Sequence, residues 1–164
     1  MTATPIRVLL IDDHTLFRSG LRSLLKSSPD FEVIAEAGDG HLGIRLAVQH
    51  RPDVILLDNN MPGLPGSETA RRILAEAPGL HILMLTVSEE VDDLLDSLRA
   101  GASGYLLKNI NADTLMAAII SAAQGESILS PQMMTKLLTS IRTAHLPPKM
   151  TAISPAAPTP PPQP

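Results

Sequence analysis

Four short apolar runs in this chain each end in a group able to handle charge. Ile6–Ile11 leads into Asp12 and Asp13, and Val54–Leu57 into Asp58; residues 81–85 lead into Thr86, and 105–107 into Lys108. Carboxylates brought together repel: at 4 Å and an effective dielectric near 20, each like-charge pair costs about 4 kcal/mol. Three of them rest comfortably only around a cation. Oxygen donors without cysteine or clustered histidine select a hard divalent ion, most plausibly Mg²⁺. A carboxylate beside such an ion can attack phosphorus and form an aspartyl phosphate. Lys108 would then pair with one phosphoryl oxygen as a point charge, and the Thr86 hydroxyl would donate to another.

The elements around these residues explain why they should meet. Ile6–Ile11 is almost wholly apolar, as a strand buried on both faces reads. Leu16, Phe17, Leu21, Leu24 and Leu25 then recur at helical spacing. Residues 31–37 read as a second strand, Asp39-Gly40 opens a helix to about His50, and Val54–Leu57 is a third strand. Residues 67–77 suit a helix and residues 81–85 a fourth strand. Val91, Leu94, Leu95 and Leu98 stripe a fourth helix, and residues 105–107 make a short fifth strand. Asn111 is placed to cap a fifth helix, which Gly125 stops. Five strand–helix units in series predict a parallel sheet covered by helices on both faces. Such sheets bind ligands beyond the carboxyl ends of their strands, where the aspartates, Thr86 and Lys108 fall.

The composition excludes several classes. The chain has 164 residues, a net charge of -4 and no cysteine, so disulfide scaffolds, zinc-thiolate sites and thiol chemistry are ruled out. No apolar run approaches a membrane span. The N-terminus lacks a signal-peptide pattern, which makes a cytoplasmic location the default. Aromatic residues are 2% of the chain, and no basic excess marks a nucleic-acid footprint. Of the 15 prolines, 8 fall within residues 147–164. Residues 1–128 are therefore expected to form the main domain and 129–145 a linker helix, with Ser130-Pro131 as its N-cap and first turn. Residues 146–164 are expected to form a disordered, Pro-rich tail.

The ordered set of motifs resembles the response-regulator receiver domain of two-component signalling. It comprises Asp12-Asp13, then Asp58-Asn59-Asn60-Met61-Pro62-Gly63, then Thr86, then Tyr105-Leu106-Leu107-Lys108. The run from Asp13 to Leu21 and the run Gly101-Ala102-Ser103-Gly104-Tyr105-Leu106-Leu107-Lys108 further resemble the NarL/FixJ subgroup. The resemblance implies a flavodoxin-like (βα)5 doubly wound sheet of strand order 2-1-3-4-5. It implies that Asp58 accepts a phosphoryl group from a histidine kinase. Asp12, Asp13, Asp58 and the Asn60 main-chain carbonyl would hold Mg²⁺. Thr86 and Tyr105 would switch position, and Lys108 would bridge to the phosphate. Asn60, Val87 and Ser88 stand where the phosphoryl lifetime is tuned, and Val87 replaces a more usual Ala.

The same resemblance implies a phosphorylation-controlled switch rather than an enzyme, with at most slow self-dephosphorylation. A homodimer on phosphorylation is expected. The fifth helix, apolar almost all round at Leu115, Ile119 and Ile120, is the expected interface for dimerisation or domain packing. His14 is read as a helix-start residue. Arg18, Arg22 and Lys26 form a basic, solvated stripe on the first helix. In NarL/FixJ relatives the switch governs a C-terminal helix-turn-helix that binds DNA. The proline-rich stretch occupies the place of an interdomain linker, so this chain is expected to be a piece of a transcription factor or a regulator without its output domain. One alternative is a stand-alone receiver acting through protein contacts. A Mg²⁺-dependent phosphatase is disfavoured, because Asn60 stands where that chemistry needs an acid.

Overall fold

The computed structural model describes residues 4–144. The expected proline-rich tail lies outside the described residues. The chain divides into two compact units, one up to Leu129 and one from Ser130.

In the first unit the elements alternate: β1 (Ile6–Ile11), α1 (Thr15–Lys26), β2 (Phe31–Ala37), α2 (Gly40–His50), β3 (Val54–Leu57), α3 (Gly66–Glu76), β4 (His81–Thr86), α4 (Val91–Arg99), β5 (Gly104–Leu107), α5 (Ala112–Ala123) and β6 (Ile128–Leu129). All pairs are parallel, in the order β2-β1-β3-β4-β5-β6. This is the expected flavodoxin-like α/β sheet with one strand more. β6 pairs only through Gly104↔Ile128 and Tyr105↔Leu129, too short to register as a pattern. Gly104 makes the pairing possible, since a Cβ there would strike the Ile128 carbonyl oxygen.

The central strands are apolar throughout because helices cover both faces. Val8, Leu10, Leu56, Leu83, Leu85 and Leu106 pack with Leu21 and Leu25 of α1 and with Leu115 and Ile119 of α5. Successive strand residues alternate faces, so Ile11 points the other way, where Gly43 of α2 lies against it. Asp39 and Asn111 cap α2 and α5 by accepting from Leu42 N and Thr114 N, each at 2.8 Å. Gly125 takes φ +87° just past α5.

Leu115 and Ile119 of the fifth helix lie in the core of their own chain, on the face of α5 that covers the sheet, and Ile120 is partly buried at its edge. Of the basic stripe, Lys26 is exposed as expected, but two members are tied to the sheet. Arg18 Nε and Arg22 Nη1 both pair with the Glu36 carboxylate on β2, at 3.0 and 2.5 Å.

The second unit begins with α6 (Pro131–Ala144). Pro131 is its first residue, and the Ser130 carbonyl accepts from Met134 N at 2.9 Å. The Ser130 hydroxyl makes no hydrogen bond, so it does not supply the side-chain cap its residue type suggested. Among the described residues no helix is long and apolar enough to cross a membrane.

Candidate functional site

Parallel pairing carries the chemistry to one edge. Asp12 N bonds the Ala37 carbonyl at 3.0 Å, Asp58 N the Ile11 carbonyl at 2.9 Å, and Lys108 N the Thr86 carbonyl at 2.7 Å. Each of these residues is the next rung beyond a strand that has just ended. The sheet itself therefore fixes their spacing, with no help from loop conformation.

The side chains converge there. Oxygens of Asp12, Asp13 and Asp58 and a ring nitrogen of His14 all lie within 4.8 Å of one another. Asp12 and Asp58 are buried, their side chains 4% and 1% exposed. Lys108 Nζ stands 2.9 Å from Asp12 Oδ2 and 3.5 Å from Asp58 Oδ2. Phe17 of α1 supports it from below, its ring centre 4.5 Å from Nζ. Arg18 donates to the Asp12 main-chain carbonyl, pinning the turn that holds the aspartate pair.

Asp58 Oδ1 accepts from Asn60 N at 3.1 Å, but Asp58 Oδ2 and Asp13 Oδ1 are buried with no hydrogen bond. Burial pushes the Asp58 carboxyl above the usual carboxylate range. The neighbouring Asp12 and Asp13 carboxyls push the same way, against the Asn60 N–H and the Lys108 charge. Buried carboxylate oxygens that accept no hydrogen bond, grouped in a ring of carboxylates, suit a divalent cation. The donor set therefore fits Mg²⁺.

The β4–β5 side of the pocket differs. Thr86 Oγ1 accepts from Asn60 Nδ2 at 3.2 Å and from Ser88 N at 3.0 Å. Tyr105 is wholly buried, and its hydroxyl donates to the Ser88 carbonyl at 3.0 Å. Burial pushes the phenol above its ordinary value, so it remains a donor. Ser88 Oγ in turn donates to Asp93 of α4 at 2.5 Å. Val87 is 71% exposed at the rim.

The structure thus brings together Asp12, Asp13, Asp58, Asn60, Thr86, Ser88 and Lys108, with Tyr105 one hydrogen bond away. Leu115, Ile119 and Ile120 lie in and beside the core instead. Sequence reasoning missed His14, Phe17 and Arg18. The helical spacing Phe17/Leu21/Leu24 marked Phe17 as an inward residue, but nothing local marked it as a platform for Lys108.

A fold of this topology with an acidic pocket at its carboxyl edge defines a class, and residues 8–120 match the family model described as the response regulator receiver domain. The chain belongs to that family, and within it to the NarL/FixJ subgroup. Its acidic pocket is of the kind that holds the phosphoacceptor and Mg²⁺ in receivers. It is 47% identical over 133 residues to a nitrate/nitrite response regulator protein homolog of Haemophilus influenzae, covering 81% of this chain and 64% of that one. It is 41% identical over 138 residues to the nitrate/nitrite response regulator protein NarL of Escherichia coli, covering 84% and 64%. The chain thus spans 64% of the length of these two relatives. A crystal structure of a LuxR-family two-component response regulator from Aurantimonas sp. superposes with a TM-score of 0.79 at 31% identity, covering 84% of this chain and 98% of that one.

Proposed function

We propose that Asp58 is the phosphoacceptor of a two-component switch, loaded by a histidine kinase. The observation that carries this reading is the buried Asp58 Oδ2, which accepts no hydrogen bond, faces Lys108 at 3.5 Å and is ringed by Asp12 and Asp13. In the transfer, an Asp58 carboxylate oxygen attacks phosphorus and a P–O bond forms. The P–N bond to the kinase imidazole breaks, and its electron pair returns to the ring nitrogen, which takes up a proton. Asp12, Asp13, Asp58 and the Asn60 main-chain carbonyl would hold Mg²⁺, which when bound would supply positive charge to the transferring oxygens. Lys108 adds a second positive charge from the β5 side by leaving Asp12 for a phosphoryl oxygen.

Thr86 then donates its hydroxyl to the phosphoryl group and gives up the Ser88 N–H and Asn60 amide. Ser88 is the residue whose carbonyl holds Tyr105, so the two movements are coupled through one short loop. Val87, exposed beside the pocket, crowds the path of an attacking water and prolongs the phosphoryl lifetime together with Asn60 and Ser88. Val87→Ala is expected to shorten that lifetime severalfold, measured by loss of the phosphorylated mass over time.

The unit up to Leu129 acts as the switch and α6 as a linker helix toward a DNA-binding transcriptional output, as the subgroup implies. Phosphorylation-dependent self-association and a cytoplasmic location complete the reading. The test is intact mass after treatment with a small phosphodonor and Mg²⁺. Wild type gains one phosphoryl group; Asp58→Asn gains none. Equal labelling of the two would remove Asp58 from the role.

A further inference from the structure

His14 is the N-cap residue of α1, yet its side chain makes no cap hydrogen bond. The ring turns instead into the pocket. Nδ1 lies 3.1 Å from Asp12 Oδ1, 3.4 Å from Asp13 Oδ1 and 3.6 Å from Asp58 Oδ2. The last two oxygens are the buried ones with no hydrogen bond. Neighbouring ligands on an octahedral ion with bonds of about 2.1 Å stand about 3.0 Å apart, and on a tetrahedral ion about 3.4 Å. The three observed separations fall at or close to that spacing. All four donor atoms lie within 4.8 Å of one another, so shifts of about half an ångström would place them on one centre.

Lys108 Nζ is 3.3 Å from Nδ1, so the ammonium and the imidazole face the same carboxylates. With its proton on Nε2, the ring offers the Nδ1 lone pair there. The turn carrying the ring is held by His14 N donating to Asp12 Oδ1 at 2.8 Å.

We propose that His14 supplies Nδ1 as a nitrogen ligand to the cation of this pocket, making it a mixed imidazole–carboxylate site that favours divalent first-row transition ions of the Mn²⁺ and Co²⁺ kind over Mg²⁺. The proposal rests on reading the pocket as a divalent-cation site. Mg²⁺ gains little from an imidazole in place of water, whereas transition ions bind nitrogen more strongly, Co²⁺ more than Mn²⁺. Ligand identity, more than charge count, then sets which ion loads the switch.

The experiment titrates the full chain with MgCl2, MnCl2 and CoCl2 by calorimetry, comparing wild type, His14→Asn and Asp13→Asn. Asn retains a good N-cap at position 14, and circular dichroism checks folding. Wild type is expected to bind Mn²⁺ and Co²⁺ more tightly than Mg²⁺. His14→Asn should lose about tenfold or more for Mn²⁺ and Co²⁺, with Mg²⁺ changed by less than about threefold. Pulsed electron paramagnetic resonance of the Mn²⁺-loaded wild type should show a directly bound nitrogen that disappears in His14→Asn. Absence of that nitrogen signal, or an unchanged Mn²⁺-to-Mg²⁺ ratio in His14→Asn, overturns the assignment of His14. Undiminished binding of all three ions by Asp13→Asn overturns the underlying reading of the pocket, and the proposal with it.

Discussion

At the β1 and β3 ends of the pocket, Asp13 Oδ1 and Asp58 Oδ2 are buried without a hydrogen bond; at the β4 and β5 ends, Thr86 accepts two and the Tyr105 hydroxyl donates one. Both sides hang from the same sheet edge. On the acidic side, Asp13 Oδ1 and Asp58 Oδ2 can gain interactions from an incoming cation or phosphoryl group without surrendering a hydrogen bond. The other side can respond only by exchanging bonds it already has. That asymmetry suits a switch. One side stores unfavourable charge that a ligand relieves, and the other holds a defined resting state that the ligand must outcompete.

The largest test removes the charge itself. Asp58→Asn should abolish phosphoryl uptake while stabilising the cation-free protein by about 1–2 kcal/mol in urea unfolding followed by circular dichroism. The sign follows from the raised carboxyl. A group whose folded value lies above its unfolded one favours the folded state when protonated. Its contribution is full below the unfolded value and is lost as pH rises through the folded value. Wild type should lose that increment on going from acid toward neutral pH, and Asp58→Asn should not.

Gly66→Ala attacks the acidic side through its backbone. A Cβ there would lie 2.5 Å from the Asp58 carbonyl oxygen and 2.6 Å from Asn59 Cα, so α3 would be forced off the loop after β3. A destabilisation of about 1–3 kcal/mol is expected, seen as a lower urea midpoint, with slower phosphoryl uptake. Thr86→Val leaves the Asn60 amide and Ser88 N–H without their acceptor and should cost about 1–2 kcal/mol in the same assay. Tyr105→Phe removes one hydrogen bond and should cost about 1 kcal/mol or less. If either β4–β5 variant stabilised the protein as Asp58→Asn does, the contrast between the two sides would collapse.

The strand ends were legible in the sequence because strands covered on both faces read as apolar runs, so the first polar residue after each run marks the edge. Asp12, Asp58, Thr86 and Lys108 could be aligned that way before any distance was known. Residues whose roles depend on where a side chain turns were not legible. His14 looks like any helix-start residue until its ring is seen among three carboxylates. Arg18 and Arg22 follow helical spacing that suggests solvent, and only the β1–β2 pairing brings Glu36 to them. Leu115 and Ile119 sit on a helix apolar almost all round, where periodicity cannot separate the face on the sheet from the face away from it. β6 depends on Gly104 having no side chain, a tertiary fact with no local signature.

The chain has one tyrosine and no tryptophan. That tyrosine is the buried Tyr105, hydrogen-bonded to the Ser88 carbonyl. Its intrinsic ultraviolet emission therefore reports from a single place, the wall of the pocket. An outward turn of that ring would exchange a carbonyl partner for water and alter the signal. The protein carries its own unlabelled optical probe at the side chain expected to move.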